Sequence, residues 1–139
     1  MRREGLAMTD LQGALEKAIF DRLVAQVTLG TVFQHVPENT PPPVVIISDV
    51  DFENQTDKKG RLLLFTVNIV SLVQGPGRKP LAALQAQVFE ALNDWTPTAT
   101  ASVSFGNVKV ISGSGQEIQA AQGPIYYGQQ SATCFVQAV

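Results

Sequence analysis

The sequence predicts an α+β domain in which an antiparallel sheet has two helices packed on one face and a protruding β-hairpin. Two segments carry apolar residues at helical spacing, and between them two stretches rich in Val, Ile and Leu flank a polar tract. Extended segments separated by glycine-rich breaks fill the last third of the chain. This order of helix, hairpin, helix and strands is typical of helices that cover an antiparallel sheet.

The two helices are predicted from apolar side chains that recur every three or four residues. The first helix covers residues 10–27, and Gly30 ends its pattern before a short extended piece at residues 32–36. The second begins at Pro80, because proline suits the first turn of a helix, where its missing N–H costs nothing. The stripe of the first helix is Leu11, Leu15, Ile19, Leu23 and Val27. That of the second is Leu81, Leu84, Val88, Leu92 and Trp95.

The hairpin joins the segments PVVIISDVDFE and RLLLFTVNIVSLVQ. Residues 41–43 are three prolines, and since proline lacks an N–H it cannot join a sheet ladder, so the first strand has a sharply defined start. We expect each residue of the first strand to pair with a residue of the second so that their two numbers add up to an odd number, about 115. This register keeps the apolar side chains off the face of Asp49 and Asp51. The apolar face then holds Val44, Ile46, Val50, Phe52, Leu63, Phe65, Val67 and Ile69. The opposite face is apolar near the prolines and polar toward the tip, which predicts a projecting tip.

The C-terminal third is predicted to add two or three strands. Residues 101–112 form an extended segment, the Gly/Ser sequence SGSGQ breaks it, and a short extended piece follows around Ile118. The sequence QGPIYYG is predicted to be a turn, and the final strand covers residues 131–139.

Length and composition bound the possible functions. The chain has 139 residues, which predicts one domain over residues 10–139 after a flexible leader at 1–9. Charged residues make up 16%, against roughly 25% in typical soluble domains, and the net charge is −2. Its basic residues are scattered, which disfavours a nucleic-acid groove. The single cysteine, Cys134, excludes an intrachain disulfide and a multi-cysteine metal site, and its apolar surroundings predict a buried thiol.

The search for catalytic chemistry finds little. His35 is the only histidine, which removes schemes that need a second imidazole, and its loop position indicates an ordinary polar residue. Asp49, Asp51 and Glu53 alternate along one strand face. Such a set can act as paired carboxylates or bind a hard cation, and it is also what the solvated face of a protruding ribbon looks like. The segments GPGRKP and ISGSGQ lack the spacing of a phosphate loop and of a nucleophile elbow, so both are interpreted as turns. We expect no cofactor and no metal.

Charged residues at the two turns are candidates for contacts with other proteins. A projecting ribbon that ends in charged residues is suited to reach solvent or a neighbouring molecule, although such a cluster at a hairpin end often serves solubility. The aromatic residues Trp95, Tyr126 and Tyr127 are alternatives as interface anchors or as packed core residues. The candidate interface residues are Asp49, Asp51, Glu53, Asp57, Lys58, Lys59, Arg61, Arg78 and Lys79.

Four segments together resemble the tail-completion, or tail-terminator, proteins of long-tailed bacteriophages, prophages and gene-transfer agents. They are the helix LQGALEKAIFDRLVAQ, the junction VFQHVPENTPPPVVIISDV, the segment SLVQGPGRKPLAALQAQVFEALND and the Gln-rich final strand. The resemblance covers about residues 10–139 and rests on order and spacing. The first strand departs from it in lacking an aromatic residue just after the prolines, and SGSGQEIQAAQGPIYY is longer than the resemblance leads us to expect.

This resemblance implies a structural virion protein and no enzymatic activity. Such proteins form a ring, typically of six copies, that ends polymerisation of the tail tube and joins it to the head connector. The implied partners are further copies of the chain, the tail tube protein and the head-tail connector or neck protein, with no membrane and with DNA only as cargo passing through the lumen. The implied location is the tail or neck of the virion, after synthesis in the host cytoplasm. Alternatives are another head-tail adaptor or a tube subunit, or a small metal-dependent or nucleotide-binding α+β enzyme.

Overall fold

The computed structural model describes residues 8–34, 41–56, 61–121 and 123–138. Within them, two helices and six strands form the α+β fold that the sequence predicts. The elements in chain order are α1 (Met8–Gln26), β1 (Thr31–Phe33), β2 (Val44–Asn54), β3 (Leu62–Gln74), α2 (Lys79–Leu92), β4 (Val103–Phe105), β5 (Lys109–Ala120) and β6 (Gly123–Ala138).

The strands form one sheet in the order β1-β2-β3-β6, and both β4 and β5 pair with the far edge of β6. All pairs are antiparallel except β1 with β2, which run parallel. The β3–β6 ladder is the centre of the sheet, with thirteen paired positions from Leu62–Gln137 to Gln74–Ile125. The short β1 lies beside the start of β2 only, which leaves the rest of that edge of β2 without a neighbouring strand among the described residues.

Both helices pack on the same face of the sheet. The predicted stripe of α1 is buried along its whole length, and α2 buries its stripe up to Leu92, the last residue of the helix. Asn93 follows in an extended conformation and ends α2. Arg22 joins the two helices, since its Nε donates to the Ala91 carbonyl at 2.8 Å and its guanidinium lies 5.3 Å from the centroid of the Trp95 ring. Trp95 therefore sits at the end of α2 as a packing residue.

Alternate residues of the two central strands face the helices and form the core. Phe65 is opposite Cys134 and Val67 is opposite Ala132, and all four side chains are buried. Fully burying an aliphatic or aromatic side chain contributes about 1.5–3 kcal/mol. One continuous cluster contains residues of both helices and of β2, β3 and β6, so both helices pack against the central strands of the sheet.

The hairpin register agrees with the prediction toward the tip and differs near the prolines. Val50 pairs with Val67 and Phe52 pairs with Phe65, as predicted. A register shift between Ile47 and Val50 adds one residue to β2, so that Ile47 pairs with Ile69. The prediction that Val44 and Ile46 share the apolar face is therefore wrong, because Val45 and Ile47 lie there instead. Both faces are covered at the proline end, where Val44 and Val45 are buried, whereas residues 51–56 are exposed.

The proline segment defines the start of β2, which begins at Val44 directly after Pro43. The peptide bond between Pro42 and Pro43 is cis. The Pro43 carbonyl accepts a hydrogen bond from the Thr31 N–H at 3.1 Å, and a Cβ at Gly30 would lie 3.3 Å from this carbonyl. A side chain at residue 30 would therefore crowd this carbonyl, and the hydrogen bond brings β1 alongside β2.

Two predictions for the C-terminal third are wrong. The Gly/Ser segment SGSGQ does not break the strand, because β5 continues through it from Lys109 to Ala120. The segment QGPIYYG is not a turn, because β6 begins at Gly123 and includes Tyr126 and Tyr127. This part of β6 is extended despite its glycines and proline, because it pairs with β3 on one side and with β5 on the other.

Candidate functional site

The acidic residues of the hairpin lie along the open edge of β2. Asp49, Asp51 and Glu53 are all exposed, and they follow the part of β2 that pairs with β1. Asp51 pairs with Thr66 and Glu53 pairs with Leu64, so both side chains are on the face opposite the helices. Within the described part of the chain, no three His, Cys, Asp or Glu side chains form a group that could hold a metal ion.

Phe52 lies on the same edge and on the opposite face from the carboxylates. Its side chain is 50% exposed, and its ring centroid is 6.1 Å from that of Phe65 in a tilted arrangement. Phe52 pairs with β3 on one side only, and the described residues leave half of its side chain uncovered. The open edge of β2 thus combines an acidic face with one available apolar side chain.

The basic residues of the hairpin tip are only partly within the described residues. Asp57, Lys58 and Lys59 fall outside them, as does His35. Arg61 is exposed, and its backbone carbonyl accepts a hydrogen bond from the Ala138 N–H at 3.1 Å. The strand ends are closed by a hydrogen bond from the Gln55 N–H to the Leu62 carbonyl at 2.9 Å, together with the Thr56 side chain.

The second basic group, Arg78 and Lys79, lies at the start of α2 and is exposed. It is separated from the hairpin tip by the full length of β3, which has thirteen residues. At about 3.3 Å per residue this is roughly 40 Å. The structure therefore places the described candidate interface residues in two separate regions, one along the outer half of the hairpin and the other at the start of α2.

The sequence interpretation missed a second open edge, which belongs to β5. This strand pairs with β6 only, and all residues from 111 to 119 are exposed. The start of the edge is covered by the segment after α2, since Asn93 Oδ1 accepts the Val110 N–H at 3.0 Å and the Asp94 N–H donates to the Val108 carbonyl. From Ile111 onward, no strand of the described chain pairs with this edge. The missed signal was the alternation of small and polar residues in ISGSGQEI.

A surface cavity of about 260 Å³ lies between α2 and β5, directly beside this open edge. A register shift between Val110 and Ser112 pushes Ile111 outward, and it is 60% exposed. Phe89 of α2 stands beside it, 39% exposed. We call this cavity the α2–β5 groove, and the residues that line it are Phe89, Val110, Ile111, Ser112, Gly113 and Gln130.

Gln130 forms the polar part of the α2–β5 groove and is buried. Its Nε2 donates to the Gln85 backbone carbonyl at 3.1 Å, whereas its Oε1 has no hydrogen-bond partner among the described residues. The Gln85 side chain in turn donates to the Ser114 carbonyl at 2.9 Å and lies over Gly128, where a Cβ would be 2.2 Å from its Nε2. These two glutamines fix the distance between α2 and the β5–β6 pair.

Tyr126 and Cys134 are packing residues, whereas Tyr127 is half-buried and lies outside the core cluster. Tyr126 is buried, and its hydroxyl lies 3.4 Å from Glu117 Oε1, while the Tyr127 hydroxyl donates to Gln129 at 3.1 Å. Cys134 is buried as predicted, and burial raises the pKa of its thiol from 9.0 to about 11. A thiol with a raised pKa is a weak nucleophile at neutral pH.

Searches for similar sequences and similar structures give different results. No family model and no curated protein matches the chain. No helix in the described residues is long and apolar enough to cross a membrane. The fold is similar to that of a chain in the virion of a native gene transfer agent particle, with a TM-score of 0.80 and 18% sequence identity. The alignment covers 91% of this chain and 97% of that chain, so the likeness extends over nearly the whole fold.

Proposed function

We propose that this chain is a structural protein of a phage-like virion that forms a ring at the head-proximal end of the tail tube. The observation that carries the proposal is the structural similarity, with a TM-score of 0.80 over 91% of the chain, to a component of a gene transfer agent particle. Its position in the particle, as the terminator that ends tube polymerisation and joins the tail to the head connector, follows from the sequence resemblance described above.

The surface chemistry supports a role in assembly over a role in catalysis. Asp49, Asp51 and Glu53 are exposed along a strand edge, and none of them lines the α2–β5 groove. Enzyme sites are usually concave and bring several convergent polar groups together. The partners in this proposal are further copies of the chain, the tube protein and the connector, and its ring requires one patch to bind a different patch on the next copy.

The size of the assembly tests this proposal. Mass photometry and negative-stain microscopy of the purified chain should give one closed ring of about six times the 14.9 kDa chain mass. Indefinite tubes would instead identify a tube subunit, and a persistent monomer at micromolar concentration would refute the ring. A metal-dependent activity that is lost on Asp49→Asn would favour the enzyme alternative.

The hairpin tip gives a second test, directed at the joint with the tube or the connector. We expect replacement of Lys58, Lys59 and Arg61 by alanine to reduce ring assembly or tail joining. The matched control is Lys17→Ala on the exposed surface of α1, where Lys17 makes only an ion pair with Asp21. If the triple variant and the control assemble equally well, the tip does not lie at a contact.

A further inference from the structure

Among the described residues, the sheet has an open edge on each of its two sides. One is the part of β2 beyond β1, and the other is β5 from Ile111 onward. Unpaired edges are usually protected by charge, bulges or short length, because they otherwise pair with other chains. The β2 edge has three carboxylates and a bulge, whereas residues 111–116 of β5 have no charged side chain.

Strand directions make these two edges compatible in a ring. The β2–β3, β3–β6 and β6–β5 pairs are all antiparallel, so β5 runs opposite to β2. Rotation about an axis roughly along the strands preserves these directions. The β5 edge of one copy then meets the β2 edge of the next copy in antiparallel orientation, which is a head-to-tail contact of the kind that closes a ring.

One register matches the side chains on the face of the sheet that carries the helices. When Phe52 is placed opposite Gly113 of the next copy, Val50 falls opposite Gly115. Both glycines are on the helix face, since Gly113 pairs with Gln130 and Gly115 with Gly128 within their own sheet. The two apolar side chains thus face two positions that have no side chain, and Phe52 reaches the α2–β5 groove beside Phe89. Aromatic residues across from glycine are a known means of stabilising strand pairs.

The same register also matches the other face. Asp51 falls opposite Ser114 and Glu53 falls opposite Ser112, so each carboxylate faces a hydroxyl. The nearest acidic residue of β5, Glu117, is on the helix face, where it lies near the Tyr126 hydroxyl. Pairing of two β2 edges would instead place carboxylates against carboxylates, which is unfavourable. The charges therefore disfavour β2 with β2 and permit β2 with β5.

We propose that residues 50–54 of one copy add as an antiparallel strand to residues 111–115 of a second copy, with Phe52 occupying the α2–β5 groove. This inference rests on the ring proposed above and names the two surfaces that form it. Main-chain hydrogen bonds supply the attraction, and the groove, with the two glycines, selects the register.

Disulfide trapping tests this pairing in the full chain. A variant with both Phe52→Cys and Gly113→Cys should give a ladder of covalent multimers on a non-reducing gel after mild oxidation. Directly opposed residues of an antiparallel pair have Cα atoms about 4.5–5.5 Å apart, which a disulfide can span. Within one copy the two sites are three strand spacings, roughly 14 Å, apart, so they do not bridge internally. A Cβ at Gly113 would lie in ordinary contact with Gln130 Cγ at 3.4 Å and the Gln129 carbonyl oxygen at 3.8 Å, and the native Cys134 is buried.

The matched control pairs Phe52→Cys with Ser114→Cys, so that Phe52 is absent from both variants and Gly113 stays free to face position 52. It shifts the thiol by one residue and so places it on the opposite face of the sheet. We expect at least about tenfold less covalent multimer from the control, because its sulfur atoms point to different faces. Equal yields from the two variants, or dimers from Gly113→Cys alone, would overturn the proposed pairing.

Mass photometry of the same samples separates this inference from the proposed function. A closed ring that does not cross-link through positions 52 and 113 refutes the edge pairing and leaves the ring intact. Open tubes that cross-link in the predicted register support the pairing and refute the terminator role. A monomer without cross-links refutes both.

Discussion

Substitution of Gly128 by alanine tests how the two glutamines fix α2 to the sheet. A Cβ at this position would lie 2.2 Å from Gln85 Nε2, 2.7 Å from Gln85 Cδ and 3.1 Å from the Ser114 carbonyl. The Gln85 side chain must therefore move, and its 2.9 Å hydrogen bond to Ser114 is lost. Loss of such a bond costs about 0.5–1.5 kcal/mol, and crowding of the Ser114 carbonyl costs about 1 kcal/mol more.

Part of this cost is offset, because replacing glycine reduces the entropy of the unfolded chain by about 0.4–1 kcal/mol. The net expectation for Gly128→Ala is thus a loss of about 1–2 kcal/mol in the free energy of unfolding, measured by urea denaturation at one fixed protein concentration. Gln85→Ala removes the colliding side-chain atoms and leaves only the crowding of the Ser114 carbonyl, so Gly128→Ala in that background should be nearly neutral, with a loss of at most about 0.6 kcal/mol. The collision therefore predicts a coupling energy of about 1 kcal/mol between the two substitutions. If their effects on the free energy of unfolding simply add, the collision with Gln85 is not the cause of the loss.

Three further predictions concern the core, the thiol and the proline segment. Arg22→Met should lower the free energy of unfolding by about 1.5–3 kcal/mol, since the charged hydrogen bond to the Ala91 carbonyl is lost. Thermal unfolding measures the loss, and a change below about 0.5 kcal/mol would contradict the prediction. Because burial raises the pKa of Cys134 to about 11, the unfolded chain loses its thiol proton first as the pH rises above 9.0. Stability should therefore fall between these two pH values by up to about 2 kcal/mol, and Cys134→Ala should remove this dependence in urea titrations at each pH. Replacement of the prolines at residues 41–43 by serine should weaken ring assembly, measured by mass photometry, more than it lowers the melting temperature. A lower melting temperature with unchanged assembly would show that the prolines serve folding only.

The sequence alone predicts the helices well, because their apolar stripes have a clear period. The first helix was expected over residues 10–27 and is found at Met8–Gln26, and the second ends at Leu92, three residues before the end of its predicted stripe. The hairpin is correct in type. Its register near the prolines is wrong because the bulge between Ile47 and Val50 depends on pairing with β3, and nothing local in the sequence marks it.

The prediction failed at β5 for a physical reason that bears on function. Its glycine and serine residues have low intrinsic preference for strands, and local composition favours a turn. Long pairing with β6 overrides that preference. Charge is the property that marks the candidate interface residues in the sequence. It marks the acidic edge of β2, but it does not mark β5 or the groove beside it, because residues 111–116 have no charged side chain. The interface role of the charged residues stays a prediction.

The weak strand preference of β5 is itself consistent with a strand that becomes fully paired only in an assembly. Glycines at positions 113 and 115 stabilise neither an isolated strand nor a packed core. Gly113 is free of a tight steric demand, since a Cβ there would lie in ordinary contact with Gln130 Cγ at 3.4 Å and the Gln129 carbonyl oxygen at 3.8 Å. A glycine kept in a strand without an internal reason often marks the close approach of another chain. If that is its purpose here, Gly113→Val should leave the free energy of unfolding of the monomer within about 1 kcal/mol and yet reduce ring formation, because the added side chain would occupy the space of Phe52. Equal assembly of this variant and the unmodified chain would show that no side chain from a second copy enters there.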